Sequence, residues 1–181
     1  MFEIALSCGL LVAAGLMIKS VAKMRNMDPG FATKDVFTAR IGFPAAYTDT
    51  LAEWRFFDQM LERVSALPGV RAAAISSGLP ATRQRLGGTN FSIEGQSYVQ
   101  PKDYPVTGNG AVTPSFFATL EVPIVQGRGF ATSDREGSLP VVIVNRAFVD
   151  KFYKNVDPMG RRIRLGGAKS TQPWLTIVGV A

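Results

Sequence analysis

The longest apolar stretch of the chain lies at its N-terminus, where Ile4 to Ile18 contains no charged residue. Lys19, Lys23 and Arg25 follow it directly. A full membrane span needs about 20 apolar residues, whereas stretches of 10–14 are typical of core helices and of signal peptides. The 15 residues of this stretch fall between the two classes, so a buried helix of a soluble domain and the outer part of a transmembrane helix are both open.

Two features favour the membrane helix. Small residues such as Gly9 and Gly15 let helices approach closely in a bilayer, and the long Lys19 side chain can reach the headgroups. A cleaved signal peptide fits poorly, because the only early charge is Glu3 and the apolar run leads into a basic amphipathic stretch. Cys8 does not fit a lipoprotein site, because the apolar run follows it instead of preceding it.

The charges beside this helix do not decide its orientation. Lys19, Lys23 and Arg25 would place the following domain in the cytoplasm under the positive-inside rule. That rule loses force when a long domain follows, and residues 27–181 are such a domain.

The next part of the chain predicts a strand, a helix and a second strand. Val36 to Phe43 alternates in polarity as a half-buried strand does, and Pro44 ends it. Thr50 to Leu67 is predicted as a helix, with capping-box spacing at its start and an apolar stripe that we expect to be buried against the first sheet. The stripe consists of Trp54, Phe57, Leu61, Val64 and Leu67. Val70 to Ile75 is predicted as the second strand, completing a βαβ-like unit.

The remainder of the chain indicates short strands joined by loops. Residues 78–110 are rich in glycine, proline and polar residues, with one alternating run from Asn90 to Glu94. A short helix is expected after Val112, with Thr113 as its N-cap and Pro114 in its first position. Further elements are predicted as the strands Val122–Val125, Val141–Val144, Arg162–Leu165 and Trp174–Val180 and the helix Ala147–Phe152.

Composition excludes several classes of enzyme. The chain has 181 residues, a formal net charge of +6, no histidine, and Cys8 as its single cysteine. It therefore has no Ser-His-Asp or Cys-His nucleophile, no zinc site built from Cys and His, and no intramolecular disulfide. No GxxxxGK[ST] sequence occurs, so the chain does not bind ATP through a P-loop.

The remaining candidate motifs are weak. Gly127-Arg128-Gly129 lacks the third glycine of a dinucleotide fingerprint and is interpreted as a turn. Asp134 and Glu136 lie close in sequence but are interpreted as residues of a solvated loop. A set of basic residues could indicate nucleic-acid binding, but no aromatic residues interleave it, and a solvated strand face is favoured. Its members are Arg83, Arg85, Arg161, Arg162, Arg164 and Lys169. The sequence thus predicts no catalytic, cofactor-binding or metal-binding residue and no nucleic-acid partner.

Several segments, in order along nearly the whole chain, carry a resemblance to a known family. The first is the apolar helix from Ile4 to Ser20, and the last is WLTIVGV, from Trp174 to Val180. Between them lie DPGF (Asp28–Phe31), VFTARIGFP (Val36–Pro44), FFDQMLERVSALPGV (Phe56–Val70), SGLP (Ser77–Pro80), FSIEG (Phe91–Gly95), VTPSFFATLEVPIVQGRGF (Val112–Phe130), PVVIVNRAF (Pro140–Phe148) and DPMGRRIRLGG (Asp157–Gly167). In this order they resemble the MacB-like periplasmic core domain of FtsX-type ABC transporter permeases.

The resemblance implies an α+β fold, in which a truncated transmembrane helix precedes a two-lobed extracytoplasmic domain. Residues 1–26 would be the helix end and connection, residues 27–110 a porter-like α/β lobe with a loop-rich extension, and residues 111–181 a smaller β-rich lobe that is incomplete at its C-terminus. The resemblance places the chain in the inner membrane with its main domain in the periplasm, as a fragment of a larger permease.

The implied function is non-enzymatic. The external domain would couple ATP hydrolysis by a cytoplasmic ABC ATPase to movement of a substrate or partner, as in export or efflux. Its partners would be the membrane, the ATPase subunit, the remaining permease segments and a periplasmic adaptor protein; no cofactor is implied. The alternative is a membrane-anchored extracytoplasmic binding module that acts without an ATPase.

Overall fold

The computed structural model describes residues 2–25, 29–42, 50–80, 88–135 and 137–181. The chain separates into two compact units, Met1–Phe31 and Ala32–Ala181. The first unit contains one long helix, and the described residues of the second contain a sheet, three α-helices and a short 3-10 helix at Pro101–Asp103. The mixture of helices and a mainly antiparallel sheet confirms the predicted α+β class.

The first unit is built on helix α1, which runs from Phe2 to Arg25. Its 24 residues give a length of about 36 Å at 1.5 Å per residue. Leu6–Arg25 is long and apolar enough to cross a membrane, and none of this span is buried within the protein. The interpretation as a buried helix of a soluble domain is therefore wrong for the described side chains of α1.

Helix α2 of the second unit begins at Thr50, as predicted, and ends at Ser65. The expected burial of its apolar stripe is only partly found. Phe57 and Leu61 are half-buried, but Trp54 is 59% exposed and Val64 is 38% exposed. The prediction of a continuous buried stripe is wrong, and neither of the two strands predicted to flank the helix forms over its described residues.

The segments on either side of α2 contain no regular strand. Residues 36–42 have no assigned secondary structure, and Phe37 is 92% exposed; Phe43 and Pro44 lie outside the described residues. Residues 70–75 also form no strand, although Ser76 makes a single antiparallel bridge to Val112. Alternating polarity makes a strand possible, but a strand forms only where another edge accepts its hydrogen bonds.

Six short strands of the second unit form one sheet among the described residues. They are β1 (Gly88–Ile93), β2 (Val106–Gly108), β3 (Gln126–Gly127), β4 (Val141–Val144), β5 (Arg162–Leu165) and β6 (Leu175–Val180). The order β2-β1-β5-β6-β3 is antiparallel, and β4 pairs with β6 in parallel. Strand β1 pairs with β5, so the sheet includes residues on both sides of position 110, and the two-lobed division stays a prediction.

The core lies between this sheet and helix α4, Arg146–Phe152. Phe91 of β1 is 0% exposed, and its ring centroid lies 5.2 Å from that of Phe148 and 5.1 Å from that of Phe152. The other buried apolar members of this cluster are Ile93, Val144, Tyr153, Ile163, Ile177 and Val180. Helix α4 begins where predicted to within one residue, because the Asn145 side chain accepts a hydrogen bond from the Phe148 amide at 2.9 Å.

Strands β1, β4, β5 and β6 confirm their predictions to within two residues. The strand predicted at Val122–Val125 is wrong, because β3 begins one residue beyond it, at Gln126. The short helix α3, Phe116–Thr119, also differs in its cap, which is Ser115 and not Thr113. The Thr113 hydroxyl instead accepts a hydrogen bond from the Ile75 amide at 3.0 Å, which explains the difference.

Candidate functional site

The surface of α1 is apolar and exposed along most of the helix. Its exposed large apolar side chains are Ile4, Leu6, Leu10, Leu11, Val12, Leu16, Met17, Ile18, Val21 and Met24. At Gly9 and Gly15 an added Cβ atom would meet no heavy atom within 4 Å, so the helix surface is open at both positions. Apolar side chains facing water all around a helix are unfavourable, whereas the same arrangement is stable in a bilayer.

The Gly127-Arg128-Gly129 segment lies at the end of β3 and opens an ordered loop. Arg128 donates two hydrogen bonds to the Asp134 carboxylate, from Nη1 at 2.6 Å and from Nη2 at 2.9 Å. The Asp134 carboxylate also accepts a hydrogen bond from the Ala131 amide at 2.8 Å. Asp134 lies in a loop, as predicted, but its side chain is only 10% exposed and closes the loop, so the expected solvation of this carboxylate is wrong. Glu136 lies outside the described residues.

These contacts change the acidity of Asp134. The Arg128 guanidinium and the Ala131 amide both stabilise the charged carboxylate, and they lower the pKa of Asp134 from 3.8 to about 2. The same ion pair raises the pKa of Arg128. A carboxylate held ionised in this way is suited to fixing a loop and poorly suited to accepting a proton near neutral pH.

The two arginines of β5 each contact a side chain from a neighbouring part of the second unit. Arg162 forms an ion pair with Glu94, and its Nε donates to Glu94 Oε2 at 2.8 Å. The Arg164 guanidinium lies 4.8 Å from the centroid of the Trp174 ring. Trp174 is thus an aromatic partner that sequence reasoning missed, because it lies ten residues along the chain. The structure places Arg162 on an exposed strand face, as predicted, whereas Arg83 and Arg85 lie outside the described residues.

An open groove of about 680 Å³ lies beside the C-terminal end of α4. It is lined by Gln126, Val149, Asp150, Tyr153, Lys154, Asn155, Val156, Asp157 and Pro158. Gln126 Nε2 donates to Asp157 Oδ1 at 3.0 Å, and the Met159 amide donates to the same oxygen at 3.0 Å. Sequence reasoning interpreted Asp157 only as part of a turn, since a side-chain contact between residues 31 positions apart leaves no local signal.

The groove wall contains one polar group without a hydrogen-bond partner among the described residues. The Tyr153 hydroxyl is buried, the residue is 5% exposed, and burial raises the pKa of Tyr153. Its ring packs on Phe148, with centroids 6.1 Å apart. Among the described residues no group of three or more acidic, histidine or cysteine side chains is positioned to hold a metal ion.

Comparison with known proteins identifies a family over the whole chain. Residues 1–181 match the family model of the MacB-like periplasmic core domain. No curated protein matches the chain.

Two solved structures match part of the chain. One is the periplasmic region of MacB from Actinobacillus actinomycetemcomitans, with 13% identity, a TM-score of 0.47, and coverage of 68% of this chain and 49% of that chain. The other is a domain of a protein described as a permease from Porphyromonas gingivalis, with 18% identity, a TM-score of 0.45, and coverage of 66% and 46%. The chain therefore spans about half the length of these two structures.

Proposed function

The chain belongs to the family of MacB-like periplasmic core domains, and on that premise we propose that it works in an ABC transporter permease as an external coupling domain. In this role the domain links ATP hydrolysis by a separate cytoplasmic ATPase to the movement of a substrate or partner outside the membrane. The observation that carries the proposal is the family match, which extends over all 181 residues. The substrate direction that we propose is outward, as in export or efflux.

The anchoring helix supports a membrane location. Helix α1 exposes apolar side chains on all sides, and its span Leu6–Arg25 is long enough for a bilayer. We propose that α1 lies in the inner membrane and that Ala32–Ala181 faces the periplasm. This orientation places three basic residues on the extracytoplasmic side, against the positive-inside rule, which a long following domain can override.

The sequence of the chain also indicates which steps other polypeptides must perform. The sequence has no P-loop, so ATP binding falls to the partner ATPase. We propose the remaining permease segments and a periplasmic adaptor protein as the further partners. The Gln126–Asp157 groove is open to solvent and carries both charged and apolar side chains, which suits a contact surface for such a partner.

Orientation is tested with cysteine labelling. Val99 is 89% exposed in the second unit, and a Val99→Cys variant in a Cys8→Ser background gives one thiol there. An impermeant maleimide added to intact spheroplasts should label this cysteine. The unsubstituted chain is the matched control, since its only thiol, Cys8, lies within α1 and should be shielded by lipid. Labelling of Val99→Cys only after lysis would contradict the periplasmic orientation.

Coupling to an ATPase is tested separately. The full chain in detergent should show no saturable ATP binding by calorimetry, whereas the assembled permease and ATPase should bind and hydrolyse ATP. Saturable binding by the chain alone would contradict this division of labour. A neighbouring gene that encodes an ATPase with Walker motifs is expected, and its absence would favour a binding module without an ATPase.

A further inference from the structure

The last nine residues of α1, Met17–Arg25, have two chemically different faces. Successive residues of an α-helix are rotated by about 100°. On that spacing Lys19 and Lys23 lie about 40° apart, on one side of the helix with Ser20 between them in sequence. Met17, Val21 and Met24 lie on the opposite side, and all three are exposed; Arg25 lies on that side too, at the end of the helix.

The apolar surface therefore ends at different heights on the two sides of α1. On the lysine side the last large apolar residue is Leu16, whereas on the opposite side the apolar surface continues to Met24, about 12 Å further along the axis. A flat membrane boundary can satisfy both sides only if the lysine side chains extend along the helix to the headgroups. The long aliphatic part of each lysine then lies against lipid, and the ammonium group lies at the level of the phosphates.

No acidic side chain of α1 neutralises these two charges. Glu3 is the only acidic residue in the helix, and it lies about 24 Å from Lys19 along the axis. The two ion pairs found among the described residues are made by Arg128 and Arg162, and neither includes Lys19 or Lys23. An ammonium group near the edge of the hydrocarbon is costly without an anion, so charge complementarity requires a negative group at this level.

We propose that Lys19 and Lys23 form a binding site for the headgroup of an anionic phospholipid at the extracytoplasmic end of α1. The negatively charged headgroup supplies the anion that α1 lacks, and the apolar face of Met17, Val21 and Met24 contacts acyl chains. Binding on one side only fixes the rotation of the helix as well as its depth. The proposal rests on the membrane anchoring proposed above.

The test measures lipid preference around the full chain reconstituted in phosphatidylcholine bilayers. Spin-labelled phosphatidylglycerol and spin-labelled phosphatidylcholine report, by electron paramagnetic resonance, how strongly each lipid associates with the protein. We expect a preference for phosphatidylglycerol that weakens at high salt and falls by up to about fivefold for each of Lys19→Gln and Lys23→Gln. The double variant should lose most of this preference, because Arg25 is the one basic residue of α1 that remains at this end of the helix.

A charge-matched control separates a local site from net charge. Lys102→Gln with Lys154→Gln removes the same two charges from exposed positions of the second unit and should leave the lipid preference unchanged. An equal loss in this control, or an unchanged preference in the Lys19/Lys23 double variant, would overturn the proposal. Carbonate extraction distinguishes failure of the membrane anchoring from failure of the lipid site. If carbonate extracts the chain from the bilayer, the proposed membrane anchoring is wrong. If the chain stays in the bilayer but shows no lipid preference, only the proposed lipid site is wrong.

Discussion

At the residue scale, Gly127 shows how closely two strands approach in this sheet. Its φ of +75° is in the left-handed region, and an added Cβ would overlap the Val178 carbonyl oxygen and lie 2.5 Å from Met159 Cε. The clash with backbone leaves no rotamer that relieves it. The position therefore requires glycine for two independent reasons, its backbone conformation and its lack of space.

We expect Gly127→Ala to destabilise the second unit by about 1–3 kcal/mol, the usual cost of strained backbone, with the clash adding to it. Gly129→Ala is the matched control, because Gly129 has no positive φ and no heavy atom within 4 Å of an added Cβ. Urea denaturation of the full chain in detergent, followed by tryptophan fluorescence, measures both. Equal stability of the two variants would show that β3 does not approach β6 as described.

The Asp134 carboxylate gives a prediction about pH. Its pKa is about 2 in the folded protein against 3.8 in the unfolded chain, so the folded state favours the ionised form. The stabilisation is complete above the unfolded pKa and is lost as pH falls from about 4 through about 2. The difference in melting temperature between the unsubstituted chain and Asp134→Asn should therefore shrink over that interval.

Thermal melts at a series of pH values measure this difference, and the carboxyl chemical shift of Asp134 gives the midpoint directly. Asp150→Asn serves as a control, because Asp150 is exposed on α4. A midpoint near the ordinary aspartate value would mean that the pair with Arg128 is not formed in solution.

At the element scale, the helices and strands that were predicted correctly are those whose sequence signal lies within the element itself. Strand β4 is a continuous run of β-branched apolar residues, β6 is a largely apolar run interrupted by Thr176, and α4 has an asparagine N-cap, so each could be predicted without knowing its partner. Strands β2 and β3 have three and two residues, which is too short for a periodic signal. Val36–Phe43 had the signal and formed no strand over the described residues 36–42, since no neighbouring edge pairs with it there.

The side-chain contacts at the candidate surfaces were harder to predict from the sequence than the helices and strands. The Glu94–Arg162 pair joins residues 68 positions apart, and its existence depends on the register of β1 against β5. The apolar stretch predicted the membrane helix and the family resemblance the class of protein, but neither predicted a residue-level site. The groove at Gln126 and Asp157 required the fold itself, because β3 and the loop after α4 meet only in three dimensions.

Thr113 links two otherwise irregular segments and gives a prediction at this scale. Its hydroxyl accepts from the Ile75 amide at 3.0 Å, and its own amide donates to the Ile75 carbonyl at 2.9 Å. Thr113→Val removes the first bond and leaves the Ile75 amide unpaired in a half-buried position. Hydrogen exchange of that amide should accelerate about tenfold, since such a loss costs about 1–3 kcal/mol.

Thr107→Val is the comparison for this substitution, because the Thr107 hydroxyl only donates locally to the Gly108 carbonyl at 3.2 Å. It should leave exchange at Ile75 unchanged. Unaltered exchange in Thr113→Val would mean that residues 73–77 are held by other contacts.

At the scale of the whole molecule, the boundary between the two compact units falls between Phe31 and Ala32, and we treat the segment from Asn26 to Lys34 around this boundary as the connection. Residues 26–28 lie outside the described ranges, and Gly30 has a φ of +77°. If the permease transmits motion from its membrane helices to the external domain, this connection is the covalent path through α1. The proposed coupling function therefore requires this connection to be stiff, and that requirement can be measured.

Insertion of four Gly/Ser residues after Gly30 should abolish transport while leaving the melting temperature of the second unit unchanged, because flexible linkers transmit little force. The same insertion after Gln96, in an exposed loop following β1, is the control and should leave transport intact. Substrate export by the complete permease with its ATPase measures the effect. Undiminished export with the first insertion would show that this connection does not carry the motion.

Strand β6 has a consequence for biosynthesis. It is bonded along both edges, with β4 on one side and with β5 and β3 on the other, and these three strands precede it in the chain. During synthesis and translocation, the apolar residues Val141–Val144 therefore emerge before the strand that will cover their edge. In the proposed periplasmic orientation, the sheet cannot close until residue 180 has crossed the membrane, so the nascent chain is exposed to aggregation during that interval. Periplasmic chaperones should consequently protect ribosome-bound or translocation-arrested chains that end before residue 175 far more strongly than chains that have passed it.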